Sequence, residues 1–358
     1  MIKILHCSDI HFKEEELDYC SKVWAEILDI GKSEKVEAIC VAGDVFDTFE
    51  DLVACRETFL KLAVDSKLRI IAIAGNHEYL HIKNQNLATY DLSKISWFHN
   101  PGFHLATAES DSWELYALPY SQDYADYRNW KIPQKKKRRL LMAHGMLPEA
   151  VAYTGPDSEE GSHILEIDLL SKFDADCILL GHIHKRTDLQ INGLSVHYPG
   201  SPRVWRKGEK GQRSVNLIEI PESGSIQVKA LALAQAGVYR EVLLNIEPNG
   251  NVQAWEPDQI SANKEDYLSI ELQGVADNET ILNIWRDTKL KEWSQNYRKV
   301  VINTEMIKYL DGFSSEAIVK KFLEKWNVKF AESPEDKIPI LLKARQIGLE
   351  EIIGKIKS

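Results

Sequence analysis

Five short apolar runs, each broken off by a cluster of Asp, Asn or His, constrain this chain more than any other feature. The clusters are Asp9-Ile10-His11, Gly43-Asp44, Gly75-Asn76-His77-Glu78, His144-Gly145 and Gly181-His182-Ile183-His184. The runs before them are rich in Val, Ile, Leu and Ala, as strands buried on both faces of a parallel or mixed sheet are. Residues just past such strands share one rim of the sheet, where α/β proteins place their sites. Five clusters on one rim can converge.

The segments between the runs read as helices. Leu17, Cys20, Trp24, Ile27 and Leu28 repeat at helical spacing, as do Leu52, Cys55, Phe59, Leu60 and Leu62. With strands predicted over 2–6, 37–41 and 69–74, this alternation predicts a sheet covered by helices. Further strands are predicted over 113–118, 139–143, 176–180 and 194–198, with a helix over 164–173. Two strands over 214–220 and 225–233, split by Pro221-Glu222-Ser223-Gly224, read as a hairpin. The expected fold class is α/β: two sheets face to face between helices, in four α/β/β/α layers.

The chain changes character near 234–239. Strands over 241–246, 267–272 and 299–303 with a helix over 280–293 form a small α+β unit, and two helices follow over 315–326 and 338–357. The expected division is therefore 1–235, 240–310 and 312–358.

Composition bounds the rest. Hydrophobic residues are 44% and charged residues 27% of 358, as in ordinary globular chains. The net charge of −10 argues against broad, passive attraction to nucleic acid. It leaves room for a local basic groove or a metal-centred site, since ions bring their own positive charge. The five cysteines form no C-x-x-C and read as small hydrophobes of a reducing compartment. No long apolar stretch occurs and the first strand runs straight into Asp9, so no membrane span is expected and a cytoplasmic location is.

The ligand types set the chemistry. Asp9, His11, Asp44, Asn76, His144, His182 and His184 offer hard oxygen and imidazole nitrogen without thiolate, a set suited to Mn, Fe or Zn. Seven ligands are too many for one catalytic ion with open positions, and they suit two ions sharing a carboxylate. Asp44 is the natural bridge, because Asp9 already neighbours His11. Such a pair serves in-line phosphoryl displacement. Asp9-x-His11 and His182-x-His184 would each put two side chains on one side of an extended segment. His77 would then face substrate and protonate the leaving oxygen or stabilise phosphate charge. Any one of these clusters alone reads as turn chemistry; the ordered set of five does not.

The ordered set resembles the calcineurin-like metallophosphoesterases. Within them the chain is similar to the SbcD-type DNA repair nucleases, through Gly43-Asp44-Val45-Phe46-Asp47, His197-Tyr198-Pro199-Gly200-Ser201-Pro202 and the α+β unit, which resembles a DNA-binding cap. The resemblance implies that Asp9, His11, Asp44 and His184 hold one ion and that Asp44, Asn76, His144 and His182 hold the other. It also implies that His77 is the catalytic histidine and manganese the usual ion. Glu78 stands where the family commonly has Asp, behind the ligands. DNA as substrate, an SbcC-type SMC-like ATPase as partner and a homodimer are implied in the same way.

Four other stretches stand out. Lys135-Lys136-Lys137-Arg138-Arg139 is either a solvated loop or a phosphate contact. Arg203, Trp205 and Arg206, close after the His182-x-His184 rim, are candidate substrate-binding residues. Tyr116, Tyr120, Tyr124, Tyr127 and Trp130 either pack a loop or stack on bases. The last helix carries Ile340, Ala344, Ile347, Ile352 and Ile356 on roughly one side, for core packing or for docking the ATPase. The expected function is Mn-dependent DNA exonuclease and endonuclease activity in double-strand-break processing. The alternative is a small-nucleotide phosphodiesterase or phosphatase of the same superfamily, and a non-catalytic scaffold is disfavoured by the complete ligand set.

Overall fold

The computed structural model of the chain describes residues 1–82, 92–109, 111–124, 127–153, 164–204, 206–247, 250–256, 263–313 and 315–356. It divides into two compact units, Met1–Gly237 and Val238–Ser358. Among the described residues, no helix is long and apolar enough to cross a membrane.

The first unit opens with β1 (Ile2–Cys7), α1 (Leu17–Glu34), β2 (Ala38–Val41), α2 (Phe49–Ser66), β3 (Ile70–Ile73), α3 (Asn76–Ile82) and β4 (Ser96–Phe98). It continues with β5 (His104–Leu105), β6 (Trp113–Leu118), β7 (Arg138–His144), α4 (Ile167–Ser171), β8 (Cys177–Gly181), β9 (Thr187–Ile191), β10 (Leu194–Tyr198), β11 (Ser214–Ile220) and β12 (Gln227–Ala232). One sheet has the order β12-β11-β1-β2-β3-β4 and the other β5-β6-β7-β8-β10-β9. The central strands β1 to β4, and β6, β7, β8 and β10, run parallel. β11, β12, β5 and β9 pair antiparallel at the flanks.

Strand alternation sorts the side chains into layers. Leu5, Cys7, Ile39 and Val41 face Trp24, Ile27, Leu52 and Phe59 of α1 and α2. Ile4, Ala38, Cys40, Ile71 and Ile73 face Leu115, Ala117, Leu140, Met142 and Leu179 between the sheets. Leu141, Ala143, Ile178 and Leu180 pack outward against Leu169, Leu170 and Phe173. The layers are helix, sheet, sheet, helix, as expected. Burial on both faces is why the strands read as unbroken apolar runs. Three of the four edge strands of these two sheets, β4, β5 and β9, carry no such run and were not anticipated. α4 is shorter than the helix expected over 164–173.

The second unit holds a parallel sheet of β13 (Tyr239–Asn245), β14 (Tyr267–Ala276) and β15 (Lys299–Tyr309), with α5 (Glu279–Trp293) before the last strand. Leu244, Ile246, Leu268, Ile270 and Leu272 pack with Leu282 and Trp293 of α5. Two helices, α6 (Ala317–Ala331) and α7 (Ile338–Ile356), follow. Val319, Leu349 and Ile353 from these helices bury against Val275 and Leu310, with Phe322 and Leu323 around them.

Candidate metal centre

All five clusters meet at the C-terminal ends of β1, β2, β3, β7 and β8. Backbone bonds stitch their loops together: Asp9 N donates to Gly43 O (3.0 Å), His11 N to Asp44 O (3.0 Å) and Ala42 N to Cys7 O (2.8 Å). Ligand atoms fall within 4.8 Å of one another in three groups, Asp9-His11-His184, Asp44-His144-His182 and His11-Asp44-His77. Asp44 stands between the outer two, with Oδ2 3.3 Å from His144 Nε2 and 3.9 Å from His11 Nε2. Asn76 Oδ1 lies 2.9 Å from His144 Nε2 and 3.0 Å from His182 Nδ1. The seven expected ligands and His77 are thus brought together.

The backbone reaches this arrangement differently from the expectation. Asp9-x-His11 was expected to be extended, but Asp9 (φ 54°) and His11 (φ 48°) are left-handed, as are Asp44 (φ 52°) and His182 (φ 99°). Left-handed backbone costs a non-glycine residue roughly 1–2 kcal/mol, so surrounding bonds must hold it. His182 and His184 also serve different groups, rather than one side of an extended segment. Gly75 matters for space: a Cβ there would stand 2.0 Å from Asp44 Oδ1. Gly43 is both left-handed (φ 92°) and crowded, since its Cβ would lie 2.3 Å from His144 Nδ1.

The electrostatics call for cations. His144 Nδ1–H donates to Ala42 O (2.7 Å), which turns Nε2 toward Asn76 Oδ1 and the Asp44 carboxylate. A nitrogen lone pair and two acceptor oxygens facing one another need a proton or a metal ion between them. Burial works against charging this imidazole, but Asp44 outweighs it and raises its pKa to about 9. Burial pushes the Asp9 carboxyl up. For Asp44 burial acts the same way, yet His144 and His77 hold it well below the usual range. Hard oxygens and imidazoles of this kind, buried and without thiolate, fit divalent ions of the Mn, Fe or Zn type.

Three residues support the ligands: Glu78, expected behind them, and Asp47 and Glu209, to which no role was assigned. The buried Glu78 carboxylate accepts from Asp44 N (3.1 Å), Phe46 N (2.9 Å) and Gly75 N (2.9 Å), tying two ligand loops together. Burial and Asp44 raise its pKa to about 7. Asp47 reaches His11 Nδ1 (3.2 Å) and Lys13 (2.7 Å), and its carbonyl accepts from His77 Nδ1–H (2.5 Å). Glu209 lies 2.8 Å from His184 Nδ1. Glu78 and Asp47 lie within the motifs, which is their signal in sequence; Glu209 lies 25 residues beyond its histidine.

The substrate-binding expectation is corrected at Arg203. This side chain is 0% exposed. Its guanidinium donates to Ile10 O (2.7 Å), His11 O (2.5 Å) and Glu16 (2.5 Å), so it braces the Asp9–His11 loop instead of meeting substrate. Arg206 is half-buried, with its backbone N–H on Glu209 (3.3 Å). Trp205 lies outside the described residues. The basic run is largely spent inside the fold: Lys135 and Arg138 pair with Asp176 (3.0 and 3.3 Å), and the buried Arg139 pairs with Glu114 (2.6 Å). Tyr116, Tyr120, Tyr124 and Tyr127 are buried packing residues.

Known proteins are similar to this chain. The chain is 23% identical to the DNA double-strand break repair protein Mre11 of Sulfolobus acidocaldarius, over 86% of this chain and 84% of the other. It is 26% identical to the Mre11 protein of Haloferax volcanii over 64% of this chain and 52% of the other. An uncharacterised metallophosphoesterase of Bacillus subtilis, YhaO, is 24% identical over 54% of this chain and 48% of its own. The family model of calcineurin-like phosphoesterases matches residues 2–186, which include all five clusters and more than half of the chain. The chain belongs to the calcineurin-like phosphoesterase family and is a metal-dependent phosphoesterase.

Proposed function

We propose that this phosphoesterase is a DNA nuclease that hydrolyses phosphodiester bonds in double-strand-break processing. The observation that carries the reading is the convergence of three groups, Asp9-His11-His184, His11-Asp44-His77 and Asp44-His144-His182, linked through His11 and Asp44. Asp9, His11, Asp44 and His184 would hold one divalent ion, and Asp44, Asn76, His144 and His182 the other, with manganese the ion expected. Two such ions supply an activated water and charge stabilisation for in-line displacement.

The side chains do the rest. Donation from His77 Nδ1–H to the Asp47 carbonyl sets the ring's orientation and leaves Nε2 as the atom that exchanges a proton with the leaving oxygen. Glu78 keeps the Asp44 and Asn76 loops at fixed separation, so the ligands need little rearrangement on turnover.

DNA as the substrate is supported by the likeness to Mre11, a DNA double-strand break repair protein, which extends over both units of this chain. It is not supported by the two basic stretches, whose charges are largely paired within the fold. An SbcC-type SMC-like ATPase is the proposed partner, met by the exposed side of α7, where Ile340 (71% exposed), Ala344 and Ile347 (52% exposed) lie one turn apart. A homodimer is proposed on the same likeness. The test is cleavage of linear double-stranded DNA with manganese, set beside a chromogenic phosphodiester. Cleavage of both is expected. Hydrolysis of the chromogenic ester with DNA left intact would favour the small-nucleotide reading.

A further inference from the structure

The loops of the two ligand groups are bonded to one another, and His182 N donates to the Asp9 carboxylate (2.9 and 3.0 Å), but the further contacts that support each group differ. Beyond the last cluster, Ser201, Arg203, Glu209 and Arg213 direct contacts to the carbonyls of Ile10, His11 and His184 and to the His184 ring. Arg203 holds the carbonyls of Ile10 and His11, in the loop where Asp9 and His11 are both left-handed. Ser201 N donates to His184 O (3.1 Å), and Arg213 Nη1 donates to the same oxygen (3.1 Å). Gly200 is so close beneath it that a Cβ would stand 2.8 Å from His184 O. Glu209 completes the set at His184 Nδ1. The bonds that place the other group come from elsewhere: Ala42 O orients His144, Asn76 Oδ1 meets both of its histidines, and Glu78 anchors the Asp44 and Gly75 loops.

We infer that Gly200, Ser201, Arg203, Glu209 and Arg213 form a brace directed to one ion position, that of Asp9, His11 and His184, with Glu209 and Arg203 as its positioning residues. The inference rests on the two-ion reading. A carboxylate on one nitrogen of a ligating histidine fixes its tautomer and ring plane and raises its basicity. With Nδ1–H given to Glu209, the lone pair of His184 sits on Nε2. Arg203 acts through the backbone: its planar fork spans two carbonyls that would otherwise let the left-handed loop relax. Weakening the brace therefore lowers affinity at one ion position and spares the other.

The test is manganese titration of the full chain, followed by the electron paramagnetic resonance of free Mn²⁺ and of the coupled pair. Wild type should bind two ions and show the exchange-coupled signal. Glu209→Ala should bind one ion with wild-type affinity and the second about 10- to 100-fold more weakly. At limiting manganese it should give an uncoupled, single-ion spectrum. Glu209→Gln, whose amide oxygen can still accept from Nδ1–H, should recover part of the loss. Arg203→Lys, which keeps the charge but not the fork, should weaken the same ion. Two ions bound with unchanged affinity in Glu209→Ala, or both weakened in parallel, would overturn the brace. A wild-type chain binding fewer than two ions would instead overturn the two-ion reading beneath it.

Discussion

The two units of this molecule place their unfavourable groups in opposite places. In the first, cost is internal. Asp9, His11, Asp44, Glu78, Arg139, His144 and Arg203 are all buried. Among the described residues, every non-glycine residue with left-handed backbone lies there too. In the second, Asp266 and Ser269 are the buried polar residues described, and Asp266 is satisfied by Val238 N (2.8 Å) and Arg240 (2.6 Å). Its awkward groups are outside: Ile281, Ile284, Ile318, Val328, Ile340 and Ile347 are all more than half exposed. Buried charge and strained backbone mark a reaction centre, whereas exposed apolar side chains mark a surface that meets something else. The first unit is organised around chemistry and the second around contact.

Four substitutions would break or sharpen that contrast. His77→Ala should have the largest effect, lowering phosphodiester turnover about a hundred- to ten-thousand-fold while manganese still binds. Full activity would remove the histidine from the reaction. In the second unit, Leu349→Ala should cost about 2–5 kcal/mol in urea denaturation, as a fully buried leucine does. A negligible change would mean that its core is not built there.

Next comes a pH effect. Burial, with His197 adding to it, pushes the buried His6 from its ordinary 6.5 down to about 3. The unfolded chain then takes up the proton first, so this contribution is complete above pH 6.5 and is lost as pH falls toward 3. His6→Leu should flatten the acid limb by up to about 1.4 kcal/mol per pH unit, measured as the difference in urea stability from wild type between pH 4 and 6 (about the middle of that window). Parallel curves would show that His6 is not the group responsible. The smallest effect on stability belongs to Ile340→Asp, within about 0.5 kcal/mol. If the proposed SMC-like ATPase docks there, its binding should be lost, and binding that survives would assign this helix face another purpose.

The same contrast explains what could be read from sequence. The strands that carry the candidate centre were legible because burial on both faces leaves unbroken apolar runs, and the convergence of the polar clusters because they follow those runs at once. The short edge strands lack the pattern, and β9 (Thr187–Ile191) reads as Thr-Asp-Leu-Gln-Ile, half polar. Charge was the least legible property. Arg203 and Arg139 look in sequence like members of basic stretches, yet their partners, Ile10 and Glu16 for one and Glu114 for the other, are far away in the chain. A residue's type says what it can bond; only the fold says whether that bond is already made. The left-handed ligand loops are hidden for a related reason. Asp and His tolerate that backbone without demanding it, so nothing in the letters requires it.

The layer between the two sheets has a role that reaches beyond packing. Asp9, Asp44 and Asn76 hang from one sheet and His144, His182 and His184 from the other, so the gap between their tips is set by what lies between the sheets. There Ala38, Cys40 and Ala42 meet Ala117, Met142 and Leu179. These side chains act as a shim: one methylene more or less, far below the rim, would spread or narrow the jaws that carry the two halves of the centre. Core substitutions in this protein should therefore register as changes in catalytic geometry before they register as loss of fold.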